Sequence, residues 1–163
     1  MSTDDLIIKD IDNDCPNTME NHLESRRINV TDLYGSFQIP LLNYWLLYRN
    51  SDIAVLKELI CLCLAYGADI NRTVMDTDDE WSCPLYIMFG YYLGMCLSND
   101  ICRSRERQCD ILSGISLLLK NGADPNLVLP DGSSMAEMLR TEPEAVGKID
   151  MVDLDLLCII LGL

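Results

Sequence analysis

Apolar positions along this chain recur with helical spacing, broken at regular intervals by short polar stretches. Ile53, Leu56, Leu59, Ile60 and Cys63 fall three or four residues apart, which puts them on one face of a helix ending near Tyr66. Asn50-Ser51-Asp52 caps its start, and Gly67 ends it in a left-handed turn that costs a residue without a Cβ little. The same reading predicts helices over Pro16 to Arg27, Leu41 to Tyr48, Pro84 to about Leu97, about Gln108 to Lys120, Ser134 to Arg140 and Met151 to Leu161. Residues Met1 to Cys15 read as an acidic, mobile arm. Ile28 to Gly35 and Asp69 to Glu80 read as extended or turning, Pro130 to Ser133 as a turn, and Thr141 to Lys148 as a loop.

One punctuation mark occurs twice. Tyr66-Gly67-Ala68-Asp69-Ile70-Asn71 and Asn121-Gly122-Ala123-Asp124-Pro125-Asn126 each close a leucine-rich stretch. Ile39-Pro40-Leu41-Leu42 and Cys83-Pro84-Leu85-Tyr86 open helices upstream of them, and Asp131-Gly132-Ser133-Ser134-Met135-Ala136 begins a third cycle. This ordered recurrence resembles the ankyrin repeat, a unit of turn, helix, loop and helix with a T-P-L-H entry and a G-A-D-x-N exit. Ile28-Asn29 through Asp32 and Gly35 is similar to the same exit and turn after a half-repeat. The resemblance covers residues 16–163. It implies an all-α, ankyrin-like solenoid of stacked helix-turn-helix repeats joined by extended fingers. Its half-repeat would be 16–31 and its repeats about 32–71, 72–126 and 127–163.

The chain also departs from that family. Threonine and histidine are missing from both P-L entries, and with them the hydrogen bonds that brace the turn. Both glycine exits arrive late, and the extra length is expected where the inner helix meets the outer one. Degenerate repeats with overlong helices look like those of viral or bacterial ankyrin proteins, poxvirus ones among them.

Composition narrows the class of function. With 26 acidic against 12 basic side chains, the net charge of −14 argues against direct nucleic-acid binding and favours a partner with a basic surface. No apolar run is long enough to span a bilayer, and the N-terminus lacks the pattern of a secretory signal, so an intracellular, cytoplasmic protein is expected. The eight cysteines include no CxxC pair and fit core filling in a reducing compartment. No metal site and no cofactor are expected. Cys15 and the single histidine, His22, are the only pairing that suggests nucleophilic catalysis, and nothing resembling an oxyanion hole accompanies them.

Recognition is expected where the chain departs from its repeat. Asp32, Leu33 and Tyr34 occupy the first finger, and Asp76, Asp78, Asp79, Glu80 and Trp81 the second, longer one. Tyr86 and Tyr91 are expected on the concave face of the inner helix that follows, where aromatic residues commonly anchor interfaces. Gly90 and Gly94 in that helix are expected to permit close helix packing. Arg103, Arg105 and Arg107 form a basic insertion before the next helix, suited to an acidic peptide. The charge-poor end, from Leu154 to Leu163, is expected to be a self-association surface or a partner surface.

The resulting expectation is a non-catalytic protein-binding module, an inhibitor or adaptor that engages a partner through fingers and inner helices. It includes a viral or pathogen protein acting on a host regulator. The alternatives are an acidic immunity or antitoxin-type protein that occludes a basic toxin or nuclease site, and an enzyme using Cys15 and His22.

Overall fold

Helices form where the apolar spacing predicts them, and hairpins form between them. The computed structural model describes residues 16–25, 28–34, 39–48, 53–75, 80–97, 101–135 and 137. Helix α1 spans Pro16–Glu24, α2 Leu41–Tyr48, α3 Ile53–Ala65, α4 Pro84–Leu97 and α5 Ile101–Lys120. Strands β1 (Leu33–Tyr34) and β2 (Ile39–Pro40) make one antiparallel hairpin, and β3 (Val74–Met75) and β4 (Trp81–Ser82) a second. A third, reduced to a bridge between Val128 and Ser134, precedes a helical turn that begins at Met135. The described residues are therefore mainly helical, with small antiparallel hairpins between helix pairs.

Helix α4 lies at the centre because it is apolar nearly all round. It packs against α2 on one side and most extensively against α5 on the other. Its consecutive residues Leu85, Tyr86, Ile87, Met88 and Phe89 are all buried, which no single-faced helix would allow. Gly114 of α5 lets the two helices approach: a Cβ there would meet the Met88 methyl at 2.5 Å. Trp45, Leu59, Ile60, Phe89, Tyr92 and Ile115 are among the largest fully buried side chains. One continuous apolar cluster runs from Met19 of α1 to Met135. Each fully buried aliphatic side chain in it contributes roughly 1.5–3 kcal/mol relative to exposure.

The two glycine exits repeat bond for bond. Gly67 and Gly122 have φ of 87° and 94°, the left-handed region. Gly67 N–H donates to Leu64 O and Ala68 N–H to Cys63 O; Gly122 N–H donates to Leu119 O and Ala123 N–H to Leu118 O. These are the paired bonds of a Schellman cap, which satisfy carbonyls the helix end leaves open. Asp69 then accepts from Asn71 N–H and Asp124 from Asn126 N–H, both at 2.9 Å. A third copy appears at Asn29, whose Oδ1 accepts from Thr31 N–H. The register of the first copy thus aligns Asn29 with Asp69 and Asp124. All three turns close with the same backbone bond, to Asp32, Arg72 and Leu127 N–H.

Adjacent exits are tied directly. The Asn71 amide donates to Gly122 O at 3.1 Å and accepts from Asp124 N–H at 2.8 Å, so one side chain holds both sides of the next loop's backbone. At the end of the same turn, Asn43 of α2 is wholly buried and donates to Arg72 O at 3.0 Å, tying the approach to the second hairpin to the preceding helix.

Three expectations change. The Arg103–Arg107 stretch is helical rather than a loop before the helix, because α5 starts at Ile101. Arginine, glutamate and glutamine are good helix formers, so the extra length of this unit is taken up as helix. Helix α1 ends at Glu24, short of Arg27. Gly90 and Gly94 line no close packing; added Cβ atoms there would meet nothing within 4 Å. The arm Met1–Cys15, the loop Thr141–Lys148, the helix Met151–Leu161 and the apolar C-terminal end lie outside the described residues, as does most of Ser134–Arg140.

Candidate functional site

Side chains on a two-residue strand point to opposite sides, so a hairpin docked on a core buries one and exposes the next. In the second hairpin Val74 is buried and its neighbour Met75 is 43% exposed, opposite Trp81. In the third, Leu129 is buried and Val128 is 61% exposed. In the first, Leu33 is 47% exposed, opposite Pro40. Among the described residues, each hairpin thus presents one large apolar side chain to solvent. Leu33 was expected from the sequence. Met75 and Val128 were not: both residues of Val74-Met75 and of Val128-Leu129 are apolar, so the sequence does not mark which one faces out.

Carboxylates accompany these residues. Asp32 is exposed next to Leu33, and Glu80 is exposed next to Trp81. Asp131 sits in the third hairpin, where Ser133 donates both its N–H and its hydroxyl to Oδ1 at 2.9 and 2.6 Å. Those hydrogen bonds hold its carboxyl below the ordinary carboxylate range, so it stays ionised. The third hairpin is also the tightest. Gly132 N–H closes a turn on Leu129 O, Leu129 N–H donates to Ser133 O, and Gly132 has φ of 88°. This is a three-residue loop with Pro130 at the corner and glycine in the left-handed position.

The remaining predicted residues separate. Trp81 is half-buried against the core. Tyr86 is only 4% exposed, so it is a core residue and not part of an accessible face: α4 is covered on both sides, and Tyr86 lies on a covered one. Burial, with Cys83 and Asp131 nearby, pushes its phenol up to about 12. Tyr91 is 37% exposed, yet its hydroxyl donates to the carbonyls of Leu46 and Leu47 at the end of α2. Its polar end therefore joins two helices, and only the ring edge faces outward. Tyr34 lies opposite Ile39 in the first hairpin; its side chain is outside the described residues. The same holds for Asp76, Asp78 and Asp79 and for the side chains of Arg103, Arg105 and Arg107.

Two of the buried thiols are held in the protonated form. Burial raises the Cys63 thiol to about 12 and raises that of Cys83, which keeps both protonated and poorly nucleophilic. Cys83 stands at the start of α4, where the backbone N–H groups of Tyr86 and Leu85 point at its sulfur, a helix cap in place of the missing threonine. Ser134 does the same for the third cycle, accepting from Glu137 N–H at 3.2 Å. Cys15 lies outside the described residues, so its distance from His22 is not defined. Among the described residues no group of three His, Cys, Asp or Glu side chains is arranged to hold a metal ion. Among the same residues no helix is long and apolar enough to cross a membrane.

Comparison with protein-family models, with curated proteins and with solved structures finds no match to this chain.

Proposed function

We propose that this chain is a non-catalytic protein-binding module built as an ankyrin-like stack, acting as an inhibitor or adaptor on a partner with a basic surface. The observation that carries the reading is the exposed apolar residue that each hairpin presents among its described residues, Leu33, Met75 and Val128, with carboxylates nearby in the chain. Apolar anchors with a charged surround are the usual composition of a recognition patch. Support also comes from the exit turns, where Asn71, Asp69 and Asp124 are committed to internal hydrogen bonds. A stack held that firmly loses little conformational freedom on binding. A viral or pathogen protein acting on a host regulator is the biological setting that the degenerate repeats suggest.

The net charge of −14 favours one second reading, an acidic immunity or antitoxin-type protein that blocks a basic toxin or nuclease site. Salt separates the two. An acidic plug loses association rate steeply as ionic strength rises, and an apolar-anchored interface does not.

The test is affinity capture followed by mass spectrometry with the wild type and a Leu33→Asp/Met75→Asp/Val128→Asp variant. The reading expects one reproducible partner that the variant loses while keeping its thermal transition. Retention of that partner by the variant would sink the hairpin reading.

A further inference from the structure

A groove of about 660 Å³ opens between α1 and the end of α3, lined by Leu23, Glu24, Ile28, Asn29, Val30 and Tyr66. Its composition is layered. Leu23, Ile28 and Val30 are buried and make an apolar floor. Tyr66 stands 40% exposed at its side, one residue past the end of α3. Glu24 lines the groove, and Glu20 lies one helical turn before it, so both carboxylates project from one side of α1. Both are exposed.

The electrostatics agree with that placement. Partial burial and then the carboxylates of Glu24 and Glu20 push the Tyr66 phenol above its ordinary range, so both acids act on this one ring. The combination of apolar floor, aromatic wall and paired carboxylates matches one kind of ligand. An arginine or lysine side chain has an apolar stem to lie on Leu23, Ile28 and Val30, and a cationic head for the carboxylates. The same head gains from contact with the face of a tyrosine ring. A neutral apolar side chain would leave the two carboxylates unmatched, and an acidic one would be repelled.

We infer that the groove between α1, the Ile28–Val30 turn and Tyr66 is a binding site for a basic side chain of a partner polypeptide. It rests on the proposed protein-binding role and adds a contact point away from the hairpins. Glu20 and Glu24 supply charge, Tyr66 the aromatic wall, and the three aliphatic residues the floor.

The experiment is an NMR titration of the full chain with a blocked peptide, acetyl-Gly-Gly-Arg-Gly-Gly-amide, and with its citrulline counterpart, which keeps the shape and lacks the charge. Expected is saturable movement of the Leu23, Ile28 and Val30 methyl signals with the arginine peptide and none with citrulline. Glu20→Gln/Glu24→Gln should weaken binding at least tenfold. Glu58→Gln/Glu137→Gln, which removes the same charge elsewhere, should change it less than twofold. Tyr66→Phe should bind like wild type, and Tyr66→Ala several-fold more weakly. Arg26 and Arg27 adjoin the groove in sequence and lie outside the described residues. Arg26→Gln/Arg27→Gln is therefore titrated too, and should bind at least as tightly as wild type.

Equal weakening by the two charge-matched doubles would overturn the site, since it would reduce the effect to net charge. So would equal response to citrulline, or absence of binding in both the wild type and the Arg26→Gln/Arg27→Gln form. Because the titration reads this groove alone, its failure leaves the hairpin reading standing. Partner capture that survives the hairpin substitutions leaves the groove standing.

Discussion

The exit turns and the hairpins that follow them use their side chains in opposite ways. At the exits, Asp69, Asp124 and Asn71 turn back onto backbone groups, and the same bonds recur from one copy to the next. At the hairpins Leu33, Met75 and Val128 turn outward instead, a different apolar residue in each. The sameness of the exits is a requirement of register, because each must fit its neighbour. The exposed hairpin residues differ from one copy to the next, and that variety is available for recognition.

Exit turns and hairpins hang on one core, and the hardest test of the comparison is to damage it. Trp45→Ala, at a fully buried position, should cost about 3–5 kcal/mol in urea unfolding, with both lost in a single transition. Separate transitions would show that they are independent bodies.

Alkaline pH strikes the exit turns first. Cys63, whose carbonyl accepts the first cap's Ala68 N–H, carries a thiol raised by burial from 9.0 to about 12. Between those values the unfolded chain releases a proton that the folded chain keeps. Stability is therefore fully present below pH 9.0 and is lost as pH rises towards about 12. The slope should be about 1.4 kcal/mol per pH unit, and Cys63→Ala should flatten it. Tyr86, raised to about 12 from 10.0, steepens the upper part of the same window.

Gly122→Val forces a β-branched residue to a φ of 94° and should cost about 1–2 kcal/mol, read as a lowered denaturation midpoint. Asn71→Ala removes two hydrogen bonds between exits and should cost roughly 0.5–1.5 kcal/mol, with faster amide exchange at Asp124. The smallest effect is expected at the hairpins. Leu33→Asp, Met75→Asp and Val128→Asp should each change stability by about 0.5 kcal/mol or less, as surface substitutions do. A loss of 2 kcal/mol at any of them would make that hairpin structural and erase the contrast.

Legibility in the sequence followed how local each cause was. The caps at Gly67 and Gly122, the starts of α2, α3 and α4, and the turn at Asp131 each depend on a few adjacent residues, and each was readable. Tyr86 was misread because its burial depends on parts of the chain far from it in sequence, Asp131 of the third hairpin lying nearby, which no window around Tyr86 reveals. Arg103 to Arg107 was misread as a loop because charge suggested solvent, and a charged stretch can be both solvated and helical. Met75 and Val128 were missed because each has an apolar neighbour, and only the docked hairpin shows which of the two faces out.

By itself, then, the sequence determined where helices stop, that one unit recurs, and that a strongly acidic surface surrounds an apolar core. These are consequences of local backbone preference, spacing and composition. Only the tertiary structure decided that Asn71 joins one exit to the next, that Tyr86 is interior, and that Leu33, Met75 and Val128 face outward. It also brought Tyr66 to Glu20 and Glu24, which lie more than forty residues earlier in the chain. Such pairings follow from which faces stack against which, and stacking joins residues far apart in the chain.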